Sequence, residues 1–257
     1  MRSELLRFDD WTNPVPPVER EVVSMTEETD AKLPPLLFVP GLGHGAWAFA
    51  EHWMPAAAAR GFAAYALTPR PGGDLRAQAH DVVQVAASLP RQTVLVGHGA
   101  GALVVAYAMG RYPARAAVLA APVMDGWPAL GAALRVNPLG TLPALFGGRL
   151  RLHRKQLFGP DMPGERADEI IARLDARPRR ELVTHGPAPR PAGNPPVLVV
   201  GSPDDRVVPR TSLDRTAARY GGAPLLFPGM GHELLLEAAW AEPIAAILDW
   251  LGKELET

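Results

Sequence analysis

At 257 residues the chain is long enough for one or two domains, and single α/β domains of this size are ordinary. Twenty-six basic against 27 acidic residues leave a net charge of −1, which argues against nucleic acid or an anionic membrane as the main partner. The absence of cysteine excludes disulfides, thiolate metal sites and a cysteine nucleophile.

The stretch before Pro34 is polar and broken by proline; Asp9 and Asp10 stand where a signal peptide would be apolar, and Val18–Met25 alternates well enough for an edge strand. No apolar run approaches the ~18 residues of a membrane span, so the expectation is a cytoplasmic, soluble protein. From Leu36 the pattern becomes regular. Leu36–Gly41 reads as a buried strand, Trp47–Gly61 as a helix closed by glycine, and Phe62–Pro69 as a second strand. Leu75–Leu89 carries apolar residues at Leu75, Ala79, Val82, Val83 and Ala86 and stops at Pro90, which predicts an amphipathic helix. Thr93–Gly99 is a third strand running directly into a helix over Ala100–Tyr112, and Arg115–Val123 is a fourth.

From Asp125 to Pro196 the rhythm breaks into Pro-, Gly- and Arg-rich sequence with helical pieces such as Glu165–Ala176. It resumes with a strand before Ser202, a helix over Thr211–Tyr220, a strand before Pro228 and a last amphipathic helix over Trp240–Glu256. Strand and helix in alternation, with glycine at the joints, predict a mostly parallel central sheet with helices on both faces. The expected division is a core of residues 1–124 and 197–257 with a small cap insertion at 125–196, above the sheet edge where such folds bind ligands.

The sharpest junction is Leu95-Val96-Gly97-His98-Gly99-Ala100-Gly101, a strand entering a helix through a tight turn. It resembles the nucleophile elbow G-x-S-x-G of the α/β-hydrolase superfamily. Pro40-Gly41-Leu42-Gly43-His44-Gly45-Ala46-Trp47 looks like that family's oxyanion loop. Asp205 stands where the family's acid ends a late strand, and His232 where its histidine follows the last one. Order and spacing match from Leu36 to Glu256. The resemblance implies an α/β-hydrolase fold and an enzyme acting on a small molecule. It also implies His232 as base, Asp205 as its orienter and the Leu42 and Ala100 amides as oxyanion donors.

One residue departs from the pattern. The nucleophile position is Gly99, where the family has serine, and neither His98 nor Ala100 restores a hydroxyl. Glycine adopts the strained apex conformation without a Cβ penalty, so the fold tolerates it while acyl-enzyme chemistry is lost. A base beside an oxyanion hole suits proton abstraction next to a carbonyl. The leading expectation is therefore a cofactor-independent lyase that expels acetate from an O-acetylated metabolite such as a tetronate, in the manner of the acetate-eliminating members of the superfamily. The alternatives are an ester or thioester hydrolase, activating water or with its serine removed by mutation, and a non-catalytic ligand-binding relative.

Other residues carry weaker signals. Gly41, His44 and His98 are candidates to touch substrate, although His98 suits packing beside the turn. Asp204 competes with Asp205 but fits a turn. Trp47 and Trp53 suit the core, His153 and His185 the surface, and the run Arg149–Lys155 a solvated helix face. No cluster has metal-ligand spacing, and Gly41-x-Gly43 lacks the continuation of a dinucleotide loop, so neither metal nor cofactor is expected. Oligomeric state is not legible.

Overall fold

The computed structural model describes residues 2–8, 18–26, 32–70, 72–177 and 184–256. Asp9 and Asp10, on which the reading of a missing leader rested, lie outside them. Among the described residues no helix is long and apolar enough to cross a membrane.

The strands are β1 (Arg2–Phe8), β2 (Val18–Met25), β3 (Leu36–Val39), β4 (Ala64–Leu67), β5 (Val94–His98), β6 (Ala116–Ala120), β7 (Val197–Gly201) and β8 (Leu225–Leu226). They form one 8-stranded sheet in the order β1-β2-β4-β3-β5-β6-β7-β8. Every pairing from β4 to β8 is parallel, while β1 with β2 and β2 with β4 are antiparallel. Val18–Met25 is thus a strand as expected but not an edge, because β1 pairs along its outer side.

The continuous apolar runs become strands buried on both faces because side chains alternate between them. Leu36 and Phe38 of β3 and Val94 and Val96 of β5 point into one core, shared with α1 (Trp47–Ala50), α2 (Trp53–Ala59) and α10 (Ala241–Glu256). Leu37 and Val39 with Leu95 point into the other, shared with α3 (Leu75–Ser88), α4 (Ala100–Met109) and α9 (Arg210–Arg219). The expected single helix over Trp47–Gly61 is two, broken at Glu51 and His52. In α3 the buried stripe takes Val85 where Val83 was expected, and Val83 is only partly covered. Asp74 begins that helix by accepting the Ala77 amide at 2.7 Å.

Between β6 and β7 lie α5 (Gly126–Val136), α6 (Pro138–Leu145), α7 (Arg154–Leu157) and α8 (Gly164–Arg173). The run Arg149–Lys155, expected as a helix face, is mostly loop, and only Arg154 and Lys155 enter α7.

Strand order reverses between β3 and β5, so the loop after β3 and the turn after β5 diverge to opposite sides of the sheet at one point. There the backbone is crowded. A Cβ on Gly97 would lie 2.6 Å from the Ala102 Cα, and one on Gly101 would strike the Val39 and Pro40 carbonyls. Gly101→Ala is therefore expected to cost about 1–3 kcal/mol or more, because backbone cannot yield as a side chain can. Gly131→Ala, in α5 with nothing within 4 Å of the added methyl, should instead hold or gain up to about 1 kcal/mol from helix propensity. Urea unfolding of both variants measures the contrast.

Candidate functional site

Four loops at the carboxyl ends of β3, β5, β7 and β8 converge. Gly99, between β5 and α4, has φ +54° and ψ −121°, a conformation costly for any residue with a Cβ. Its amide donates to the Ala120 carbonyl and its carbonyl accepts from Val123, which holds the turn from the β6 side. An ideal Cβ at Gly99 would sit 3.2 Å from His232 Nε2 and 3.7 Å from the Gly41 Cα. The apex, the loop after β3 and the histidine loop therefore meet at one place.

His232 Nδ1 donates to Asp205 Oδ2 at 2.9 Å. The other Asp205 oxygen accepts the Val207 and Val208 amides at 2.7 and 2.9 Å, so the carboxylate is held from both sides. With Nδ1 protonated toward Asp205, the free lone pair of a neutral His232 is on Nε2, facing the apex. The loop carrying His232 is fixed at several points. Gly229 donates to Asp204 Oδ2, Ser202 Oγ to the Met230 carbonyl, Gly231 to Glu237 Oε1, and the His232 amide to the Leu157 carbonyl. Asp204 thus braces the turn and Asp205 meets the imidazole.

His98 is fully buried, and its Nε2 donates to the His232 carbonyl at 3.0 Å. Burial drives its pKa down to about 4 against the opposing pull of Glu233, so the ring is neutral at pH 7. His44 donates from Nδ1 to the Leu42 carbonyl at 3.2 Å, inside the loop after β3. Its Nε2 lies 3.1 Å from Glu233 Oε2, and both atoms are buried.

Glu233 is the residue that sequence reasoning missed. It is buried, it lines the cavity, and it sits 3.9 Å from His98 Nε2 as well as beside His44. Burial alone would raise its pKa, yet the neighbouring His44 and His98 rings hold it at about 2. The available signal was an acid immediately after His232 and before Leu234-Leu235-Leu236, a place where solvated charge is not expected. For His232 itself burial lowers the pKa, but the Asp205 charge and hydrogen bond, with Glu233 behind them, outweigh it and leave the value above 6.5.

Gly41, Leu42, His44, His98, Ala100 and His232 all line one cavity of about 140 Å³ under the β6–β7 insertion. Away from the three histidines and Glu233 its walls are mostly aliphatic, with Val123, Leu130, Leu152, Leu157 and Val207 among them, and Thr141 and Gln156 bring polarity from the insertion. The first-turn amide of Ala100 has no intrahelical acceptor, as at any helix start. Trp53 is buried in the core as expected, whereas Trp47 is only partly covered, stacking on His44 with the Arg173 guanidinium 3.7 Å above it. His153 caps α7 by accepting the Lys155 amide, and His185 lies against Tyr107 away from the cavity. Among the described residues, His98, His232 and Glu233 have ligand atoms within 4.8 Å of one another and could approach a metal ion. His98 Nε2 and His232 Nδ1 are already spent on a carbonyl and on Asp205.

Residues 36–247 match the Alpha/beta hydrolase family. The fold is similar to that of a thermophilic esterase from Thermogutta terrifontis (18% identity, TM-score 0.69, covering 98% of this chain and 99% of that one). It is also similar to a monoacylglycerol lipase from Paleococcus ferrophilus (17%, 0.63, 92% and 100%) and to a bromoperoxidase from Bacillus anthracis (17%, 0.66, 93% and 96%). No curated protein matches the sequence significantly.

Because a glycine stands at the apex, a serine-directed fluorophosphonate should leave the protein unmodified. Gly99→Ser should accept the label on the introduced hydroxyl, with His232 Nε2 in reach, at a stability cost of about 1–3 kcal/mol for a side chain at positive φ. Intact-mass spectrometry and thermal unfolding read both outcomes.

Proposed function

The chain belongs to the alpha/beta hydrolase family, and on that premise we propose that it is a cofactor-independent hydrolase of a neutral carboxylic ester or thioester, with water as the nucleophile. The observation that carries this reading is the 3.2 Å between His232 Nε2 and the position a Gly99 side chain would take. A water there is within hydrogen-bond reach of the imidazole lone pair. His232 removes its proton as it attacks the carbonyl carbon, and Asp205 stabilises the imidazolium. The Leu42 and Ala100 amides receive the oxyanion. The protonated imidazole then returns its proton to the departing alkoxide or thiolate, giving acid and alcohol or thiol. Support from outside the site is the company of esterase and lipase folds.

A second reading keeps the same residues and removes the water. The aliphatic wall facing the histidines also suits a base that takes a proton from carbon beside a carbonyl, with the enolate held by the same amides and acetate expelled from an O-acetylated substrate such as a tetronate. The two reactions differ in oxygen. In H₂¹⁸O, hydrolysis places one solvent oxygen in the released carboxylate, whereas elimination releases acetate with both original oxygens and leaves an alkene. Unlabelled acid with an alkene product overturns the hydrolase reading. In either reaction His232→Ala should lower turnover by about 10²–10⁴-fold. A variant that turns over normally removes the base from its role.

The pH profile follows from the dyad. Only the neutral imidazole accepts a proton, so kcat/KM should rise as pH climbs through the His232 pKa, with a midpoint above 6.5. Asp205→Asn removes the charge that raises it and should move the rising limb to lower pH while reducing the plateau. The stability stored in the pair has the opposite sense: it is full below 6.5 and is lost as pH rises through the raised value.

A further inference from the structure

The part of the cavity built by the insertion contains a polar side chain with a donor to spare. Asn137, at the joint of α5 and α6, fixes the roles around it. Its Oδ1 accepts the Gly140 amide at 3.0 Å, which makes Nδ2 the donor toward the Arg151 carbonyl at 2.6 Å. The same Nδ2 reaches Gln156 Oε1 at 3.4 Å. Gln156, in α7, therefore turns its oxygen to Asn137 and keeps its amino group for something else. That amino group has no hydrogen-bond partner among the described residues, although Gln156 is only 1% exposed. The nitrogen is not sealed within the protein, and the space that Gln156 lines is the cavity.

The groups around it narrow what it can hold. Thr141, the other polar residue that the insertion brings, donates its hydroxyl proton to the Asn137 carbonyl at 2.7 Å and has none left for a ligand. Glu233 stays ionised against the cost of burial because His44 and His98 adjoin it. Among the described residues no arginine or lysine lines the cavity. A buried amino group calls for an oxygen acceptor, and an anionic one would share the cavity with the Glu233 carboxylate and find no cation of its own.

We propose that Gln156 is a specificity-determining residue that binds an uncharged oxygen of the substrate, a hydroxyl or a second carbonyl, set apart from the reacting carbonyl. Two oxygens then fix the ligand, one on the Leu42 and Ala100 amides and the other on the Gln156 amino group, with the intervening chain against the aliphatic walls. Few polar groups, well separated in an apolar pocket, decide which way round a ligand lies. A molecule lacking the second oxygen leaves a buried amide unpaired and is held less tightly. That the first oxygen is a reacting carbonyl rests on the proposed function; the preference for a second oxygen does not.

The test measures binding, not turnover. Straight-chain methyl ketones of increasing length are titrated calorimetrically into the full chain, beside matching series that end in a hydroxyl or a carboxylate. The hydroxyl should tighten binding by at least about tenfold at one matched length and by little at the others, because both ends are held. Gln156→Met, similar in volume and without the donor, should erase that gain while the plain ketones still bind. Equal affinity with and without the hydroxyl at every length overturns the proposal. So does a gain that Gln156→Met retains, or a carboxylate end that binds more tightly than the hydroxyl. The length dependence is read on the unaltered protein, so it decides the matter even where thermal melts show the variant unfolded. Solvent oxygen in the product tests the reaction and this series tests the subsite, so failure of one is not mistaken for failure of the other.

Discussion

The start of α4 is pressed between two backbones: Gly101 abuts the Val39 and Pro40 carbonyls of the loop leaving β3, and Gly97 of β5 abuts Gly101 and Ala102, so neither glycine has room for a side chain. That contact sets the turn between them at the switch in strand order and aims the apex at the incoming histidine loop. Gly99 needs its own backbone freedom in addition, with φ +54°. Three glycines thus serve separate ends within five residues: two permit backbone contact, and one relieves a strained conformation that a serine would have to bear.

Electrostatics inside the cavity divide the histidines by what surrounds them. His98, buried and bonded to a carbonyl, stays neutral and acts as a strut beneath the His232 loop. His232, equally buried, is kept basic by Asp205. His44 faces Glu233, whose ionised carboxylate could not persist in an aliphatic cavity without neighbouring imidazoles. The pair also links the loop after β3 to the residue following His232, so the two halves of the proposed machinery are joined through a buried charge. A low-dielectric wall strengthens each of these couplings relative to a solvated site.

The β6–β7 insertion is more than a cover. The Leu157 carbonyl receives the His232 amide, and the Asp175 amide donates to the Gly43 carbonyl, so the insertion holds both loops that border the apex. A Cβ on Gly43 would meet the Ala176 backbone at 2.7 Å, which shows how closely it is seated. Its inner surface shapes the cavity, while Leu139 and Phe146 stand exposed on its outer side.

What the sequence by itself determined was the parallel core from Leu36 onward, the strained turn at Gly99, and the identity of Asp205 and His232 as residues to watch. These depend on local pattern: apolar runs too short and too continuous for anything but buried strands, glycine at joints, a histidine after the last strand. Tertiary structure alone decided the rest. Val85 replaced Val83 on the buried stripe of α3 because packing against α4, not periodicity, sets the stripe's centre. Glu233 entered the cavity only when the loop after β8 was folded against His44, and no spacing in the chain announces a contact 189 residues apart. The two-sided insertion was illegible for the same reason: its irregular sequence takes its inner and outer faces from the sheet edge beneath it, and a face exists only once there is something to turn toward.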